Sequence, residues 1–187
     1  SVDHPNEFWS AVWDFLKVIG EKGERAFMPS QLPESLFFPN ARMSYLENLL
    51  QPASGVTIVQ EADTENRGQS FSSSQLAAKI SMIASFLSEA GVSERDRVVS
   101  ILPISIEVLS FLLAGFEVGA TVAGASPEFG DSAIISRFSQ LEPKVLIASA
   151  SYQWNGKIFD RTKTIEAVLE AIPSITHLLL VNDAGEI

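Results

Sequence analysis

The chain has 187 residues, 46% of them apolar, enough for one globular domain with a substantial core or a large piece of one. Its formal net charge of −10 excludes general affinity for nucleic acid or anionic membranes, which needs clustered Lys and Arg. It has no cysteine, and so no disulfide, thiolate metal site or thiol nucleophile.

The first residues, SVDHPNEFWSAVWDF, carry Asp3 and Glu7 and lack a basic segment followed by an apolar run, so no secretory signal is expected. Phe8, Val12, Phe15, Leu16 and Ile19 fall at helical spacing and predict an amphipathic helix ending at Gly20. Residues 21–40, punctuated by Pro29, Pro33 and Pro39, read as loop, and ARMSYLENLL reads as a short helix stopping before Pro52. VTIVQ and RGQSFS read as two strands of a hairpin joined by the acidic turn EADTEN.

Ser72 and Gln75 match a capping box, and Leu76, Ile80, Ile83 and Leu87 form one apolar stripe on a helix that Gly91 closes. A strand–helix rhythm follows: RVVSIL, helix 104–117, GATVAGA, helix 131–140, KVLIAS, helix 163–172 and THLLLV. The most apolar stretch, Val108–Phe116, lies between Glu107 and Glu117 and is far short of the roughly 20 residues that span a bilayer. The expectation is a soluble, cytoplasmic α/β protein. It has a mostly parallel sheet with helices on both faces in three layers, preceded by an N-terminal helix and a β-hairpin. Such a sheet usually continues with a helix after its last strand, so the ending NDAGEI reads as a cut within a larger protein. A cut sheet would expose an apolar edge and favour self-association.

Gly119, Gly124 and Ser126 fit G-x-x-x-x-G-A-S, one residue from a P-loop, but Ala125 stands where the phosphate-binding Lys is needed. The spacing falls along a predicted strand, and small residues packing under a helix are the better account. Glu61, Asp63 and Glu65 are spaced for a hairpin-turn cation site, although a solvated turn is the commoner outcome; His4 and His177 have no neighbours at ligand spacing. No metal site is expected. Neither G-x-S-x-G nor G-x-G-x-x-G occurs, so no catalytic residue is assigned.

Open parallel sheets bind ligands beyond the carboxyl ends of their strands. Two segments reach that edge: Ser126, Pro127, Glu128, Phe129 and Gly130 after GATVAGA, and SASYQWNGKIFDR (149–161) after KVLIAS. The second reads as a loop with Tyr152, Trp154, Gly156, Lys157 and Arg161. An aromatic ring and a cation suit an adenine with a phosphate; a surface loop with ordinary charges is the alternative.

FFPNARMSYLENLL, GATVAGASPEFGDSAIISRFSQLEPKVLIA and YQWNGK resemble the N-terminal part of the acetoacetyl branch of the adenylate-forming acyl-CoA synthetase superfamily, from Trp13 to about Val181. The resemblance implies an ATP-dependent acid–CoA ligase. Acetoacetate, or a similar short acyl acid, attacks the α-phosphate of ATP, Mg²⁺ offsets the triphosphate charge, and the CoA thiol then displaces AMP. It divides the chain into an N-terminal helical extension, 1–52, and a truncated N-terminal α/β subdomain, 53–187.

The resemblance also assigns cofactor binding. In the related acetyl branch a Phe-Gly-Gly-Phe loop stands at Ser126–Phe129 and an Arg-x-Gly-Arg stretch at Trp154–Lys157, both close to CoA. Lys157 then keeps one phosphate contact, Trp154 replaces the other Arg with a surface for adenine, and Ser126, Phe129 and Gly156 complete the CoA edge; Arg161 joins them from the residues alone, as the second cation of that segment. Glu128, in place of a Gly, makes the first loop a wall instead of an anion site. The family's Gly-x-Pro-Lys phosphate loop, aromatic-Thr-Glu segment, ribose-binding Asp and catalytic Lys have no match here, so the chain alone is expected to be inactive. Ile104 and Arg95 stand where the superfamily commonly shows Asn and Gly. A reading from another class is a non-catalytic scaffold that binds a partner through Trp9, Trp13, Phe37 and Phe38. A ligase for another short acid, such as acetate or propionate, is a further alternative.

Overall fold

The computed structural model describes residues 3–31, 33–50, 57–60 and 68–181. The chain divides into two units, Ser1–Ala53 and Ser54–Ile187. The first unit begins with helix α1, Pro5–Phe15, which starts on a proline and stops before the predicted Gly20. Apolar spacing continues through Leu16 and Ile19, but Lys17 turns left-handed at φ 53°. The Lys17 and Val18 amides bond back to the Asp14 and Trp13 carbonyls, closing the helix with a Schellman motif on a non-glycine residue.

The segment expected to be wholly loop contains a two-residue antiparallel ladder, β1 (Phe27–Met28) with β2 (Leu36–Phe37). The Asn6 side-chain oxygen accepts the Ala26 and Phe27 amides at 2.9 and 3.2 Å, which fastens this ladder to α1. Trp9 packs edge-on against Phe37, and Trp13 lies 5.0 Å from Phe38. The four aromatics considered for partner contact therefore meet one another within the unit. Helix α2, Tyr45–Leu49, is capped by the Ser44 hydroxyl accepting the Glu47 amide.

The second unit opens with the expected hairpin, β3 (Thr57–Gln60) antiparallel to β4 (Gln69–Ser72). Its acidic turn, with Glu61, Asp63 and Glu65, lies outside the described residues, as does NDAGEI at the other end. Helix α3, Ser73–Glu89, carries the predicted reciprocal cap between Ser72 and Gln75. The residues of its stripe, Leu76, Ile80, Ile83 and Leu87, are all buried. A Schellman motif ends it, with Gly91 at φ 70°.

Strand β5 (Arg97–Ile101), helix α4 (Ile106–Glu117), strand β6 (Thr121–Ala125), helix α5 (Asp131–Ser139) and strand β7 (Val145–Ser149) follow in turn. Next come strands β8 (Ser151–Trp154) and β9 (Lys157–Asp160), helix α6 (Thr162–Ala171) and strand β10 (His177–Val181). The main sheet has the order β10-β7-β5-β6, with every pair parallel. Alternation along the strands sends Val99, Ile101, Leu146 and Ala148 into a core with Ile134 and Phe138 of α5 and Ile165 and Val168 of α6. The opposite face carries α4, whose Gly115 approaches Val98 and Val122, and α3 packs on α4. These are the three layers expected. The chain steps from β5 to β6 in one direction and from β7 to β10 in the other. Crossovers of one hand therefore put α4 and α6 on opposite faces.

Gly119 is the left-handed residue that ends α4, and Gly124 lies in β6 with Ser100 of β5 beside it. The near-P-loop thus spans a helix end, a strand and a turn. His177 opens β10, with its Nδ1 2.9 Å from the Thr176 hydroxyl.

Arg95 explains its own oddity. It sits at φ 73°, a backbone conformation that favours glycine, in the turn where Asp96 accepts the Ser93 amide. That amide holds the Asp96 carboxyl below its usual range, helped by Lys144. Left-handed backbone costs a non-glycine residue about 1–2 kcal/mol, against about 0.5–1 kcal/mol of extra chain entropy lost by glycine. Arg95→Gly should therefore raise stability by about 0.5–1 kcal/mol. Urea unfolding checks it; an unchanged or lower midpoint would refute the assignment of strain.

Candidate functional site

Because β6 and β7 are both parallel to β5 and flank it, their carboxyl ends leave the sheet on the same edge, roughly 10 Å apart at the usual strand spacing. The direction of winding reverses between β5 and β7, so this edge is the switch point where open α/β sheets bind ligands. Ile104, just beyond β5 on that edge, is 98% exposed.

After β6 the chain turns tightly, with the Phe129 amide bonded to the Ser126 carbonyl at 3.1 Å. Ser126 is half-buried, Pro127 is buried and Glu128 is exposed. The Phe129 ring is half-exposed, and the Arg137 guanidinium stands over it 4.7 Å from the centroid. Gly130 then caps α5, with Asp131 in the first turn where a carboxylate suits the helix dipole.

After β7 the structure departs from expectation. Residues 149–161 are not a loop. Strands β8 and β9 form a hairpin in the register Ser151–Asp160, Tyr152–Phe159, Gln153–Ile158 and Trp154–Lys157. Asn155 and Gly156 make the turn at φ 48° and 73°, the doubly left-handed geometry that Asn-Gly favours and that matches strand twist. Alternation puts Tyr152, Trp154, Lys157 and Phe159 on one face. There the Tyr152 and Phe159 rings stack at 5.2 Å and 16°. Trp154 is 55% exposed at the tip, opposite an exposed Lys157, and Gly156 has open space around it. The tip can offer an aromatic surface and a cation to a ligand without moving its neighbours.

The base of the hairpin meets the loop. The Arg161 amide donates to the Ala150 carbonyl at 2.7 Å, extending the ladder by one step. Its side chain, only 17% exposed, donates from Nη2 to the Phe129 carbonyl at 2.8 Å and stands 3.5 Å from Asp131 Oδ1. The Thr164 hydroxyl donates to that same carboxylate oxygen at 2.7 Å. Asp160 accepts the Thr162 amide at 2.7 Å, and this bond holds its carboxyl below the ordinary range. Of the predicted residues, Arg161 and Phe129 are therefore brought together, while Trp154, Gly156 and Lys157 project at the hairpin tip. Sequence reasoning missed Arg137, Asp131 and Thr164. The Arg161 and Thr164 bonds cross more than thirty positions, and no local pattern announces them.

Among the described residues no group of three His, Cys, Asp or Glu side chains converges as a metal site, and no helix is long and apolar enough to cross a membrane.

A family model for AMP-binding enzymes matches residues 51–186. The chain is 33% identical over its whole length to an acetoacetyl-coenzyme A synthetase of Rhizobium meliloti and 28% identical over 97% of its length to one of Danio rerio. It spans about 28% of the length of each. The structure of an acetoacetyl-CoA synthetase from Streptomyces lividans superposes with a TM-score of 0.84 at 26% identity, covering 99% of this chain and 29% of that one. The parallel sheet, its two-faced helical cover and the hairpin at the switch-point edge all fall within the matched residues: this chain belongs to the family of AMP-binding enzymes.

Proposed function

We propose that the chain is part of an ATP-dependent ligase that joins acetoacetate, or a similar short acyl acid, to CoA in the cytoplasm. Residues 1–52 act as an N-terminal extension and 53–187 as the α/β subdomain that presents the CoA-facing edge. The observation that supports this best is similarity along the whole of this chain to a part of acetoacetyl-CoA synthetases, together with an exposed aromatic–cation hairpin tip at the switch-point edge.

The residues present fit one end of CoA. Lys157 would neutralise a phosphate, Trp154 would lie against the adenine, and Gly156 would let the backbone approach. Ser126 and Phe129 would wall the neighbouring side, with Arg161 behind them. The sequence holds no Gly-x-Pro-Lys phosphate loop for ATP, and the described residues contain no converging carboxylates for Mg²⁺. In this reading the chain alone supplies part of a binding edge and no chemistry.

Two measurements test the reading. Incubated with ATP, acetoacetate and labelled pyrophosphate, the 187-residue chain should move no label into ATP, and clear exchange would overturn its inactivity. Calorimetry should detect weak CoA binding that Lys157→Ala reduces by about 1–2 kcal/mol, the worth of one solvent-exposed charge-assisted contact. Binding that ignores the substitution would remove Lys157 from the site.

A further inference from the structure

We infer that Arg161 is a positioning residue: it holds the Ser126–Gly130 loop and the β8–β9 hairpin together as one rigid rim, and acts on any ligand there only through them. Three observations converge on this residue. Its backbone amide closes the base of the hairpin on Ala150. It occupies the cap position of α6 with no side-chain cap bond of its own, leaving the side chain for use elsewhere. That side chain reaches the other segment, donating to the Phe129 carbonyl and facing Asp131.

Burial and geometry argue against a direct phosphate contact. At 17% exposure the guanidinium is largely withdrawn from solvent, and one of its nitrogens already serves a carbonyl and a carboxylate. Its Nε is buried with no hydrogen-bond partner among the described residues. An orientation that leaves Nε–H unpaired is dictated by what Nη2 holds.

The opposite end of α5 has a matching device. Arg97 Nε and Nη2 donate to the Leu141 and Glu142 carbonyls at 2.6 and 2.8 Å, just past the helix. An arginine thus fixes each end of α5. The one at the carboxyl edge of the sheet also carries the hairpin. Asp131 completes the latch: it sits in the first turn of α5 and receives the hydroxyl of Thr164 from the first turn of α6, so both helix N-termini favour its negative charge. Lysine cannot replace this arginine in full, because its point charge on a flexible stem lacks the rigid planar group that fixes the direction in which Nη2 donates.

The test is amide hydrogen exchange on the 187-residue chain, compared with Arg161→Gln, Arg161→Lys and Asp131→Asn. In Arg161→Gln the Phe129 amide and the hairpin amides should exchange faster by on the order of tenfold or more, the effect of losing one charge-assisted bond. Amides of α3 and α4 should change far less, and the lysine variant should recover part of the protection. Acceleration equal in all elements, or none at Phe129, would overturn the inference. Should Arg161→Gln fail to fold, Asp131→Asn gives the same reading with a gentler change.

The functional half rests on the CoA reading above, and CoA titrations separate the two. Wild-type chain that ignores CoA refutes that reading and leaves the exchange result standing. CoA binding that collapses in Arg161→Gln with Phe129 exchange unchanged makes Arg161 a direct ligand and overturns the positioning role.

Discussion

Phe138→Ala should lower the free energy of unfolding by about 3–5 kcal/mol, the range for removing a buried aromatic ring. Phe138 is 2% exposed and lies in the core shared by β5, β7, α5 and α6, beside Ile134, Leu146, Ile165 and Val168. The walls of the resulting cavity are parallel strands paired on both sides and two helices anchored at their ends, so they cannot collapse inward easily. A loss near the top of the range is therefore expected. Urea unfolding followed by far-ultraviolet circular dichroism gives the number; a loss under about 1 kcal/mol would mean that α5 is not packed as described. The change also reaches the candidate site. Phe138 seats the helix whose first turn holds Asp131 and whose Arg137 covers Phe129. Weaker CoA binding with an intact hairpin tip would show that the loop needs the helix behind it.

How legible this molecule was in its sequence depends on how local each cause is. The cap of α3 is settled within four residues, and Ser72 and Gln75 bond as the pattern predicts. The strand–helix rhythm was equally plain because each parallel strand is an apolar run bounded by turns. The hairpin at 151–160 has a local cause that the sequence does carry. Asn155-Gly156 is the strongest short hairpin signal, flanked by Tyr152, Trp154, Ile158 and Phe159. Its position between a strand and a helix in an α/β rhythm made it read as a connecting loop. The end of α1 was not readable, since a Schellman turn with Lys17 at the left-handed position carries no glycine to mark it. Nor was the Arg161 latch, because a guanidinium on an apparent loop looks the same whether it faces solvent or a carbonyl 32 positions away. Sequence shows that a charge is available, and only the sheet order decides which oxygen it meets.

The α4–sheet contact leads to the second large effect, at Gly115. A Cβ there would collide with Val122 Cγ2 and come within 3.6 Å of Val98 Cγ2. The glycine lies in the interior of α4, where alanine would gain about 1 kcal/mol of helix propensity, so its presence is explained by close approach of helix to sheet. Gly115→Val should therefore destabilise by about 3 kcal/mol or more, since an overpacked core must move backbone when both neighbours are themselves fixed in paired strands. Gly115→Ala is the finer probe. Its propensity gain opposes an overpacking cost of about 1–3 kcal/mol, leaving a net loss of up to about 2 kcal/mol. Combining it with Val122→Ala removes the atom that the new methyl meets. The pair should then couple favourably by about 1–2 kcal/mol in a double-mutant cycle, with the double variant more stable than the two single losses predict. Additive losses would show that the clash is relieved by helix movement instead of by side-chain volume. In that case α4 is a sliding element, and its N-terminus beyond Ile104 is not a fixed part of the switch-point edge.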